Sequence, residues 1–164
     1  MRIPIVDEND EVIEYKDRDQ TVPGDIIRIT TIWITDGNGS ILLAQRSFLK
    51  KNSPGLWGPA VAGTVEEGET YESNVYKELK EELGLEGLML TPIEKSLYAS
   101  RTGKKFCYFY KLQIPKDTKF EIPKDEVEQV KWFSSEEFKE YLETKPEDFV
   151  HAMTLFKTFF LNII

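Results

Sequence analysis

Two rhythms of apolar residues divide the chain. Apolar, β-rich runs in "DIIRITTIWIT" and "SILLAQRS" flank "DGNG" and predict a β-hairpin. A smaller hairpin is predicted ahead of it. There "IPIVDENDEVIEY" reads as strand, acidic turn and return strand, before "TVPG" breaks the pattern. Further on, "SLYAS", the aromatic-rich "KKFCYFYKLQI" and "VEQVKWF" read as strands. "FLKKNSPGLWGPA" reads as a basic loop punctuated by Pro and Gly, and "VAGTVEEGE" as a short strand entering a glycine-marked loop.

Helical spacing takes over in three places. Thr70 is the expected N-cap and Gly84 the expected C-terminal stop of a helix rich in Glu and Lys. Ser134 and Glu137 supply a capping box for a short helix, "SEEFKEYLE". Phe149, Ala152, Met153, Phe156, Phe159, Phe160 and Ile163 then form a stripe that predicts a C-terminal helix over 147–164, its apolar face buried in the core or in a dimer contact. Strands and helices are mixed and the hairpins imply antiparallel pairing, so the expected class is α+β, with α/β/α layers. With no repeats or long linkers, residues 1–164 are expected to form one domain, 1–24 being a hairpin extension.

Charge narrows the chemistry. A net charge of −8 argues against a surface for nucleic acid polymers, whose backbone affinity depends on clustered Lys and Arg. The single cysteine, Cys107, cannot form an intrachain disulfide, which suits the cytoplasm. "MRIPIVDEND" lacks the apolar core of a signal peptide, and no apolar run approaches the ~20 residues of a membrane span. A soluble protein without a membrane partner is the expectation.

The helix "YKELKEELGL" then raises a specific problem. Glu78, Glu81 and Glu82 crowd its last turns, where negative charge opposes the helix dipole by a few tenths to ~1 kcal/mol. Glu78 also meets Glu81 and Glu82 at i+3 and i+4, each like-charge pair costing roughly 0.2–0.5 kcal/mol. On a helical wheel Glu82 and Glu78 flank the apolar edge of Val75 and Leu79, with Glu81 beside them. A hard divalent cation would relieve the repulsion; a solvated Glu/Lys face is the plainer reading of this segment by itself.

The segment has a longer context, "GTVEEGETYESNVYKELKEELGL", residues 63–85. Gly63, Glu69, Glu78, Glu81, Glu82 and Gly84 fall in an order that closely resembles the Nudix hydrolase box, with Lys77 standing where that family has Arg. The resemblance implies an α/β/α sandwich around a mixed central sheet, with the N-terminal hairpin and C-terminal helix added. It also implies a Mg²⁺-dependent enzyme, Mn²⁺ substituting, that hydrolyses a small-molecule diphosphate linkage. Glu78, Glu81 and Glu82 would bind metal with the backbone carbonyl of Ala62, and Glu69 would organise the site. Catalytic roles would fall to Glu69, Glu81, Glu82 and a distal general base, Glu126, with Glu121 and Glu128 competing. Lysine keeps the charge of the usual arginine but not its fork, so a looser loop is expected.

Substrate contacts are expected from Arg46, Trp57 and Arg101, with Lys50, Lys51, Lys104 and Lys105 as further cations near the diphosphate. Packing beneath its loop is the commoner role for a residue such as Trp57, and His151 reads as structural. Loops 47–59 and 99–105 would set specificity, and a homodimer is compatible with the pattern. The stretch "SPGLWGPAVAGTVEEGE" also resembles the branch containing isopentenyl-diphosphate isomerases. Those enzymes place a catalytic cysteine just before the box glycine, where this chain has Ala62 and keeps Cys107 on another strand. A non-catalytic, nucleotide-binding domain is the third reading; the intact glutamates favour an enzyme.

Overall fold

The computed structural model describes residues 1–100 and 103–162. Nine strands form one mixed sheet: β1 Arg2–Val6, β2 Val12–Asp17, β3 Ile26–Thr35, β4 Ser40–Arg46, β5 Trp57–Pro59, β6 Val61–Thr64, β7 Thr91–Ser100, β8 Gly103–Gln113 and β9 Val127–Ser134. The order β2-β1-β3-β4-β5 makes β3 the hub. It runs parallel to β8 and antiparallel to β1, β4 and β6, while β9 pairs antiparallel with β4. Among the described residues strand β7 pairs only with β8 and is an edge, which accommodates Pro92.

Alternation along β3 and β4 sends side chains to opposite layers. Ile32, Ile34 and Leu42 pack against Val75, Leu79 and Leu83 of α1, Tyr71–Leu83. Trp33, Ile41 and Leu43 pack on the other face against Phe138 and Leu142 of α2, Ser135–Thr144, with Phe149, Met153 and Phe160 beyond. The α+β class and sandwich architecture therefore agree with the sequence. Both expected caps are present: Thr70 accepts from the Ser73 amide, and Gly84 takes the left-handed conformation at φ 69°.

Two segments depart from expectation. The basic loop contains a short strand, because Trp57, Gly58 and Pro59 pair with Gln45, Ala44 and Leu43. The single C-terminal helix is instead a turn at Pro146–Asp148 followed by α3, His151–Leu155, and α4, Lys157–Asn162. Its start is delayed because the Val150 amide donates to the Trp57 carbonyl at 2.8 Å, holding Phe149 and Val150 extended. The break at Phe156 gathers Phe156, Phe159 and Phe160 around Phe109, with ring centroids 5.1, 4.8 and 6.0 Å away. The stripe thus supplies core, and Ile163 lies outside the described residues.

Strand β1 pairs with β3 through Ile5–Ile27 and Val6–Ile26, so the N-terminal hairpin extends the main sheet. Arg2 also reaches Glu67 in the glycine-marked loop at 3.0 Å.

Candidate active site

The loop between β6 and α1 is held by its own carboxylates. Glu69 Oε2 accepts from the Glu66 amide and from Asn74 Nδ2, both at 2.9 Å, while Glu69 Oε1 lies 2.7 Å from Lys77 Nζ. Lys77 also bridges to Glu66 at 2.7 Å and stands 3.9 Å from Glu78. One ammonium therefore ties two loop glutamates to the helix, and the expected looseness is not evident in these contacts. Burial alone would raise the Glu69 pKa; hydrogen bonds from Lys77, the Glu66 amide and Asn74 hold it below the usual range. Burial works against charge on Lys77 as well, but Glu66 and Glu69 outweigh it and raise its pKa.

Asn74 is the residue that sequence reading missed. Fully buried, it accepts from Thr30 Oγ1 at 2.5 Å and donates to the Thr64 carbonyl at 3.0 Å, besides contacting Glu69 and Glu78. An asparagine four residues before Glu78 in an otherwise strong helix was the available clue.

The helix glutamates divide by environment. Glu81 is exposed, whereas Glu78 and Glu82 are half-buried against β6. Gly63 lies directly beneath Glu78: a Cβ there would overlap the carboxyl group. Glu82 Oε2 accepts from the Ala62 amide at 3.1 Å. Burial, aided by the charges of Glu78 and Glu126, pushes Glu82 up to about 8, although the Ala62 amide and Arg46 oppose the shift. Burial and the charges of Glu81 and Glu69 likewise raise Glu78 against Lys77 and Asn74.

These oxygens are a hard donor set suited to a divalent cation such as Mg²⁺. Among the described residues no three acidic or His/Cys side chains already converge in a ligating cluster, since Glu82 is engaged by Ala62 and Glu78 by Asn74. The fit rests on two neighbouring carboxyls whose joint ionisation is unfavourable without a cation.

The distal groups separate more sharply. Glu126 is close enough for its charge to act on Glu82, and it pairs with Lys50, linking the 47–56 loop to the turn before β9. Glu121 is placed behind the C-terminus of α1, against Gly84. Glu128 is on β9, its carbonyl accepting from Lys124 at 2.8 Å. Arg46 ends β4 and its charge also acts on Glu82, while its Nε donates to the Asn52 carbonyl at 3.1 Å. Trp57 is only 7% exposed and packs edge-on to Phe133 at 5.4 Å, so it supports the loop from below instead of offering a stacking face. Arg101 lies outside the described residues.

A cavity of about 710 Å³ adjoins Arg46. Both expected specificity loops contribute to its walls, through Asn52, Leu56, Ser100 and Lys105, and so does His151. No box glutamate lines it; Arg46 connects the two regions. Cys107 is buried on β8, two residues from Lys105. Its Sγ is 3.3 Å from Thr31 Oγ1, and burial pushes the thiol up to about 12, which suppresses the reactive thiolate.

Comparison with known proteins agrees with this architecture. The isopentenyl-diphosphate Delta-isomerase of Citrobacter koseri is 28% identical over 129 residues, covering 75% of this chain and 70% of that enzyme. The crystal structure of DR0079 from Deinococcus radiodurans superposes with a TM-score of 0.75 at 25% identity, covering 87% and 89% of the two chains. A MutT NUDIX hydrolase from Burkholderia pseudomallei shares the fold with a TM-score of 0.58 at 22% identity, over 68% and 85% of the chains. The NUDIX domain profile matches residues 26–153, and the chain belongs to the Nudix family.

Proposed function

We propose that the protein is a Mg²⁺-dependent hydrolase that cleaves a diphosphate linkage in a nucleoside diphosphate derivative or related small molecule. The observation that carries this reading is the pairing of Glu78 and Glu82, half-buried carboxyls crowded beside Ala62 and Gly63, with Glu69 clamped next to them.

In this reading Glu82 and Glu78 hold the metal, with Glu81 and the Ala62 carbonyl as further oxygen donors and Mn²⁺ as a substitute. When bound, the ion neutralises diphosphate charge and lowers the pKa of water. Glu69, held as an anion by Lys77 and Asn74, orients water at the loop. Glu126, paired with Lys50 in the structure, would accept the proton in this reading once Lys50 turns to the substrate. Arg46 binds diphosphate oxygens. The acidic box, with seven glutamates and two lysines, needs such cationic help to admit an anion.

Similarity to an isomerase favours a second reading, in which isopentenyl diphosphate is the substrate. Ala62 at the position of the isomerase cysteine and the buried thiol of Cys107 count against it. No helix among the described residues is long and apolar enough to cross a membrane. We assign the protein to the cytoplasm, acting on a small molecule and not on nucleic acid polymers, with homodimerisation compatible.

A panel of nucleotide sugars, dinucleotides, nucleoside triphosphates and coenzymes, followed by phosphorus NMR with and without Mg²⁺, tests this assignment. Metal-dependent release of phosphate, diphosphate or a nucleoside monophosphate is expected. Exchange of isopentenyl diphosphate with its isomer, without hydrolysis of any panel member, would favour the isomerase reading.

A further inference from the structure

The cavity beside Arg46 gathers more positive charge than the diphosphate chemistry uses. Arg18 reaches its lining from the turn after β2, Arg46 from the end of β4 and Lys105 from β8. Among the described residues none of the three pairs with a carboxylate, whereas Arg2, Lys16, Arg28, Lys50, Lys77 and Lys95 each do. Among the described residues the Arg18 guanidinium donates only to the Met1 sulfur, at 4.0 Å, and Arg46 gives its Nε to a backbone carbonyl. The lining contains one acid, Glu147, which forms no ion pair among the described residues.

Three converging cations are costly to hold together unless an anion joins them. Their mutual repulsion registers on Lys105, where burial and the charges of Arg18 and Arg46 depress the pKa. The volume, about 710 Å³, suits a small organic moiety, and Tyr98 and Leu56 supply apolar wall. Arg46 also neighbours Glu82, so a ligand with its diphosphate at the box would extend into this cavity.

We infer that the cavity binds a second anionic group of the substrate, a phosphate monoester carried on the moiety attached to the diphosphate, gripped by Arg18 and Lys105 while Arg46 holds the diphosphate. This rests on the hydrolase reading and narrows its substrate class. It also gives the N-terminal hairpin a role, since Arg18 lies outside the matched NUDIX domain.

Binding without turnover tests the cavity separately. With chelator present, calorimetry should show adenosine 3′,5′-bisphosphate binding roughly tenfold tighter than AMP, as expected for one added charge-assisted contact set. Arg18→Gln and Lys105→Gln should each narrow that ratio, and Lys105→Arg should restore it, in variants whose circular-dichroism melts match the wild type. With Mg²⁺, kcat/KM should favour coenzyme A over dephospho-coenzyme A by a similar factor, mostly through KM. Equal binding of the two adenosine probes, or a preference that survives both glutamine variants, overturns the inference. A binding preference with no panel member hydrolysed defeats the hydrolase reading alone; hydrolysis without any preference defeats the cavity assignment alone.

Discussion

Lys77 Nζ lies 2.7 Å from Glu69 Oε1, and this contact ties the loop glutamate to the helix that carries Glu78 and Glu82. The same ammonium reaches Glu66 at 2.7 Å, so lysine serves two carboxylates where a fork would serve them in parallel. Lys77→Gln should leave Glu66 and Glu69 partly buried without their counterion, costing roughly 1–3 kcal/mol. Because Glu69 loses its anchor, kcat should fall more than KM rises. Lys77→Arg should retain most activity. Thermal melts and steady-state kinetics on both variants check this; unchanged kcat in Lys77→Gln would remove the clamp from the account.

Gly63 is required by contact, not by backbone conformation. Its φ is not positive, yet a Cβ would occupy the space of the Glu78 carboxyl. Gly63→Ala should therefore displace Glu78 with an overpacking cost of roughly 1–3 kcal/mol. Since small misplacements at a reacting centre can lower rates by about 10²-fold, the variant should lose most activity while remaining folded. Mg²⁺ titration and kinetics check it. Near-normal turnover would show that Glu78 need not sit where it does.

Much of this site was legible because its physics is local. Like-charge crowding of Glu78, Glu81 and Glu82, the Thr70 cap and the Gly84 stop all depend on residues a few positions apart. The pairing of Asn74 with Thr30, 44 residues away, and the break at Phe156 depend on tertiary packing, which spacing does not encode. Trp57 shows the same limit. The Pro/Gly-rich loop left a stacking role and packing beneath the loop both open, and strand pairing with Gln45 and packing on Phe133 decide for the second. Spacing gave no hint that Arg18 lines the cavity, since the hairpin joins the main sheet through the β1–β3 pairing.

Asp10 anchors that hairpin. It is 8% exposed and bonded to Arg28 at 2.7 Å, Lys95 at 2.5 Å and the Tyr71 hydroxyl at 3.1 Å. Burial would raise its pKa, but the hydrogen bonds from Lys95 and Arg28 hold it below the carboxylate range. A depressed folded-state pKa stabilises above the unfolded value and is lost as pH falls through the folded one. Asp10→Asn should therefore cost roughly 1–3 kcal/mol near neutrality, and the gap from wild type should close as pH drops below about 4. Denaturant melts across that range check the sign; a gap independent of pH would contradict it.

Glu82 works in the opposite sense. Its folded-state pKa, pushed up to about 8 first by burial, means that its contribution to metal-free stability is full below the ordinary carboxylate range and lost as pH rises through about 8. A cation must displace that proton, so binding should strengthen over the same window.

Calorimetric titration of Mg²⁺ into wild type and Glu82→Gln, at pH values on either side of about 8, addresses the central claim most directly. The account predicts saturable binding by the wild type that tightens as pH rises, and a loss of both affinity and pH dependence in the variant. No wild-type binding at millimolar Mg²⁺, or identical titrations for the two proteins, would contradict it.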